Sequence, residues 1–89
     1  MEHKTLISKL AADKNHKKLG KIVDIVEERD RKTRKKQTYA VVFVHRFLRK
    51  DVAVLIEIEK LIKAEGSYAV FDILKDDFDQ EVRETSFLV

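Results

Sequence analysis

The chain has 89 residues, a net charge of +3, 39% charged residues and no cysteine, so it reads as one small domain without a disulfide or a thiolate metal site. Its longest unbroken apolar run is 40–44, far short of the ~20 residues of a membrane helix, and residues 1–9 lack the apolar core of a signal peptide; a cytoplasmic protein with no transmembrane segment is expected. Asn and Gln together number three, and many charges with few labile amides is the composition of a heat-adapted protein.

A first strand is expected near 8–12, followed by a polar turn at 13–16. Residues 17–28 hold a β-branched run, LGKIVDIVEE, which argues for a strand over a helix. Gly20 near its start marks a bend or a close backbone approach. Residues 29–37 contain no apolar side chain and form an exposed hairpin loop. The next strand, 38–48, is the most apolar. Tyr39, Val41, Phe43, His45 and Phe47 share one face, and Ala40, Val42, Val44, Arg46 and Leu48 the other. A strand apolar on both faces expects cover on both. One side fills the core; the other needs the C-terminal helix or a second subunit.

Residues 49–51 are a turn, and 52–58 a strand with Val52, Val54, Ile56 and Ile58 on one face. Leu61 and Ile62 form a short turn or strand, 65–67 a tight turn, and 68–73 a last strand. Residues 75–84 read as a helix, because Leu74, Phe78 and Val82 recur at four-residue spacing. Asp76, Asp77 and Asp79 lie in its first turn, where the helix dipole favours carboxylates. Phe87, Leu88 and Val89 are an apolar tail that either docks back on the domain or reaches a partner. Short strands with polar turns between them make an all-β small barrel with a short C-terminal helix. The barrel occupies about 6–73 and the helix and tail about 75–89 of a single domain.

Catalytic and metal motifs are missing from this pattern. His3, His16 and His45 have no metal-ligand spacing. Ser8, Ser67 and Ser86 lack a nucleophile-elbow context. Asp76, Asp77, Asp79 and Glu81 lack the glycine and ligand series of a calcium loop. Gly20 and Gly66 are the only glycines, so no phosphate loop exists. No catalytic residue, cofactor or metal is expected.

Three features point to binding. The 29–36 stretch carries Arg29, Arg31, Lys32, Arg34, Lys35 and Lys36 against one acid, a candidate contact for phosphates or an acidic partner. It has no aromatic on which a base could stack. The doubly apolar strand makes Tyr39, Val41, Val42, Phe43, Val44 and Phe47 candidate homodimer-interface residues. Phe87, Leu88 and Val89 are candidate partner-binding residues. Charge is also uneven along the chain: residues 1–50 hold fifteen Lys/Arg against six Asp/Glu, and 51–89 four against ten, a division that favours head-to-tail attraction if it becomes spatial.

Taken in order, Leu19, Gly20, Ile22, Val23, Asp24 and Val26, then Leu55, Ile56, Ile58, Leu61, Ile62, Val70 and Asp72, resemble the PRC-barrel family over about 6–73. Glu57 stands where that family commonly has proline. The resemblance is to the small stand-alone archaeal type. It implies a non-enzymatic binding module that joins FtsZ-based cell division at the division site by binding the membrane anchor SepF. With the doubly apolar strand and the composition, the expectation is a homodimeric cytoplasmic adaptor. The alternative is an RNA- or ribosome-maturation-associated protein that sets the basic hairpin 29–36 on nucleic-acid phosphates.

Overall fold

The computed structural model describes residues 3–29, 32–46 and 48–85, the side chain of Thr85 excepted. Six strands, β1 (Leu10–Ala12), β2 (Lys18–Arg29), β3 (Lys36–Val44), β4 (Val52–Glu57), β5 (Leu61–Glu65) and β6 (Tyr68–Phe71), precede one helix, α1 (Lys75–Thr85). They form a mixed sheet in the order β4-β3-β2-β1-β6-β5. Only β1 and β6 run parallel; the other neighbours are antiparallel.

The long strand β2 organises the sheet. Its first residues pair with β1, and Lys21 to Arg29 pair with β3. Where it passes from one neighbour to the other, a Cβ on Gly20 would lie 2.5 Å from the Phe43 carbonyl oxygen and 2.9 Å from Val42 Cγ1. Glycine there is a requirement of backbone approach. A bulge between Ile22 and Asp24 then sets Val23 outside the ladder and bends the strand.

The expected barrel is not closed. β4 and β5 end the strand order and do not pair with each other. Laid flat, six strands at ~4.8 Å spacing would hold them about 24 Å apart. Yet the 3-10 turn Ile58–Lys60 joins them directly, and three residues at ~2.0 Å rise cover only about 6 Å. The sheet therefore curls until its edges approach, and α1 packs against β4 and β2 on the concave side. Phe78 and Val82 enter the same cluster as Leu6, Ile22, Ala40, Val42, Val54, Ile56 and Phe71. With helix side chains in the core, the edge strands need not meet. Leu74, the third member of the expected stripe, stays exposed.

Element ends differ from expectation for local reasons. Ser8 has a φ of 80° and sits in a turn, so β1 starts at Leu10. Ile58 leaves the ladder for the 3-10 turn. β3 stops at Val44, because Arg46 donates its backbone N–H to Asp51 Oδ1 and Leu48 turns left-handed at φ 59°. Phe47 lies outside the described residues. Leu61 and Ile62 belong to a true strand, and Gly66 takes its turn at φ 55°.

Asp13 ties the helix to the sheet. It is buried, and its Oδ1 accepts the backbone N–H groups of Asn15 at 2.9 Å and Lys17 at 2.8 Å. Its Oδ2 accepts that of Lys75, the first residue of α1, at 3.0 Å. Leu74 precedes the helix and has no side-chain oxygen to cap it; Asp13 supplies the acceptor from far upstream. Burial alone would raise the Asp13 pKa. The bonds from Lys17, Lys75 and Asn15, with the Lys17 charge, outweigh burial and hold the carboxyl below its ordinary value.

Candidate functional site

The outward face of β2, β3 and β4 carries a surface that no element among the described residues covers. Register sets Lys21, Phe43 and Ala53 in one row, Asp24, Val41 and Leu55 in the next, and Val26, Tyr39 and Glu57 in the third. Phe43 is 39% exposed, Leu55 38% and the bulged Val23 44%, while Tyr39 and Val41 are half-buried. Lys21 and Asp24 stand exposed beside this apolar centre. The C-terminal helix lies on the opposite face, with Phe78 and Val82 in the core. Of the two covers open to this face, the helix is therefore excluded within the described chain.

Of the interface residues read from the sequence, Tyr39, Val41 and Phe43 lie on that face. Val42 is fully buried and Val44 packs against the core, so both point inward and offer the face no surface. Phe47, and the tail residues Phe87, Leu88 and Val89, fall outside the described residues. Val23, Ala53 and Leu55 complete the patch and were not singled out from the sequence. For Ala53 and Leu55 the signal was present in 52–58, where these odd positions are apolar like the even ones. Val23 reaches the face through the β2 bulge, which no local pattern marks.

The basic hairpin projects beyond the β2–β3 pair, with Arg29, Lys32, Arg34, Lys35 and Lys36 all exposed; Arg31 lies outside the described residues. Its root is not uniformly basic. A surface cavity of about 440 Å³ sets Arg29 and Lys35 beside Glu28, Glu57 and Glu59. A neighbouring cleft of about 450 Å³ opens at the β4 edge, where α1 reaches the sheet. Tyr39, Leu55, Ile56 and Phe78 form its apolar floor. Glu28, Glu57, Asp77 and Glu81 stand around it with Lys60. These carboxylates come from positions far apart in sequence, so no local motif marked them.

The remaining candidates are dispersed. His45 Nδ1 lies 2.8 Å from Asp51 Oδ1 at the β3–β4 turn. His16 is exposed at φ 66°, and His3 has a buried Nδ1 without a hydrogen-bond partner among the described residues. Asp79 is held by Lys75 at 3.0 Å one turn away. Among the described residues, no three His, Asp or Glu side chains gather as a metal site, and no helix is long and apolar enough to cross a membrane. Compared with known proteins, the chain matches no family model and no curated protein sequence.

Proposed function

We propose that this domain is a non-enzymatic protein-interaction adaptor that pairs with a second copy of itself through the outward face of β2, β3 and β4. The uncovered apolar patch around Val41, Phe43 and Leu55 carries the reading. A one-sided antiparallel sheet ordinarily turns polar side chains to water. A domain of this size gains stability by burying such a face against another subunit. Lys21 and Asp24 at its margin offer complementary charges that a two-fold axis would bring together.

The resemblance to small archaeal PRC-barrel proteins supplies the proposed setting: the FtsZ-based division apparatus, with SepF as the partner. The competing RNA-linked reading needs the basic hairpin to track phosphates. Glu28, Glu57 and Glu59 at the hairpin root oppose that use. Sedimentation equilibrium of the wild-type chain and of Val41→Asp and Phe43→Asp tests the pairing. A dimer that becomes a folded monomer in both variants supports it, and an unchanged dimer or a monomeric wild type overturns it. Capture of purified SepF by the immobilised chain, against capture of a structured RNA, tests the setting; RNA binding lost on replacing Arg34, Lys35 and Lys36 by Ser would favour the alternative.

A further inference from the structure

Two features at opposite ends of the β3–β4 pair complement each other. At one end is the turn that joins the strands. Leu48 is 88% exposed there and holds a φ of 59°. A left-handed leucine is strained, and a side chain so exposed returns nothing to the core. The turn is nonetheless pinned: Arg46 donates its backbone N–H to Asp51 Oδ1 at 3.2 Å and its Nε–H to the Lys50 carbonyl at 2.7 Å. Arg49 and Lys50 follow Leu48 and are exposed. The one acid of the turn, Asp51, is engaged by His45 and Arg46. The tip thus presents an apolar side chain set among cations, on a backbone held in place.

At the other end is the acidic cleft. Glu28, Glu57 and Asp77 have no ion-pair or hydrogen-bond partner for their side chains among the described residues, although they line one apolar cleft. Lys60 shares the lining without pairing to them. The carboxylates stand at the exposed rim, where water screens their repulsion only in part, and one lysine, Lys60, faces four acids. No three of these carboxylates gather closely enough for a metal ion. What fits is a group that carries several separated cations around an apolar side chain, with the Tyr39 ring in the floor as a further cation-binding surface. Arg29 and Lys35 face the adjoining cavity, on the hairpin side, and leave the side bounded by α1 acidic.

We propose that the Leu48 tip of one copy docks in the acidic cleft of a second copy. The contact cannot form within one chain. Tyr39 pairs with Glu57 at the cleft, and Val44 with Val52 at the tip; five residues of strand separate them by about 17 Å, and the tip points onward from there. The association is therefore head to tail. Each open contact leaves one free tip and one free cleft, so copies add until the rotation closes a ring or, where it does not close, without limit. Tyr39, Leu55 and Glu57 belong both to the outward face and to the cleft. Tip docking is therefore told apart from pairing of like faces by its salt dependence and by its loss at Leu48, which lies on the turn.

Sedimentation velocity over a wide range of protein and salt concentration provides the test, with circular dichroism to check folding of each variant. The wild-type chain should grow in size with concentration and shrink with salt. Leu48→Asp, which spoils the tip, and Glu57→Lys with Asp77→Lys, which spoils the cleft, should each weaken this growth about tenfold or more. An equimolar mixture of the two should regain a salt-sensitive association that neither shows alone, because each retains the half that the other lacks. Leu48→Gly separates docking from folding: it should melt at a higher temperature than the wild type and still lose the growth. A wild type that does not grow, a tip variant that grows like the wild type, or a mixture that regains nothing overturns the proposal.

Discussion

Replacing Asp13 by Ala removes one side chain and strands three backbone donors. Two of them, on Asn15 and Lys17, belong to exposed residues of the β1–β2 turn, where water replaces part of what is lost. The third is the N–H of Lys75 at the start of α1. Hydrogen bonds to a charged group contribute about 1.5–3 kcal/mol each when no water substitutes, and loss of a helix cap costs about 0.5–2 kcal/mol. With the turn donors partly rehydrated, the sum is about 2–4 kcal/mol. A domain of this size holds roughly 5–13 kcal/mol in total, of which one carboxylate carries about a third when the middle of each range is taken. Because the folded pKa is depressed, the contribution is present above the unfolded Asp pKa and is lost as pH falls through the folded value. Urea unfolding followed by circular dichroism, at neutral pH and then downward, measures both effects. Asp13→Ala should unfold earlier by the amount above and lose less stability than the wild type on acidification. If Asp13→Asn and Asp13→Ala both unfold within about 0.5 kcal/mol of the wild type, the range of an ordinary surface substitution, the assignment of Asp13 as the clamp between turn and helix is wrong.

Three further outcomes follow from the packing. Gly20→Ala drives a Cβ to 2.5 Å from the Phe43 carbonyl, so β2 and β3 must separate; thermal melting should show a loss of about 1–3 kcal/mol or more. Phe78→Ala, truncating a side chain only 2% exposed, should cost about 3–5 kcal/mol, because it empties the concave side that α1 closes. Lys75→Met removes the partly exposed i,i+4 pair with Asp79 and should change the melting free energy by no more than about 0.5 kcal/mol.

The strands were readable because their β-branched runs and polar turns are local signals. The same is true of α1, whose Phe78 and Val82 keep helical spacing. What the pattern could not say was where α1 lies. A stripe of Phe78 and Val82 fits either face of a sheet, and only the curl imposed by the Ile58–Lys60 turn opens the concave side to it. The closed barrel was inferred from strand number and spacing, which do not encode whether β4 and β5 meet. Asp13 was legible only as a turn residue. Its role depends on Lys75, sixty-two positions away, and the acidic cleft likewise gathers residues from 28 to 81. Contacts of that kind exist only once the fold has formed.

The outward residues of β3 separate two accounts of why this strand is so apolar. If Val41 and Phe43 served only the strand's own propensity, threonine in their place would be nearly neutral, since β-branched side chains suit a pleated surface whether or not they are covered. If a second copy covers them, their burial is supplied by association, and the unfolding equilibrium must depend on protein concentration. At high salt, which weakens the charged tip-to-cleft contact, a melting temperature that rises with concentration in the wild type, and does not in Val41→Thr with Phe43→Thr, assigns the apolar face to an interface. A wild-type melting temperature independent of concentration refutes that assignment, leaving Val41, Phe43 and Leu55 as strand formers that tolerate water.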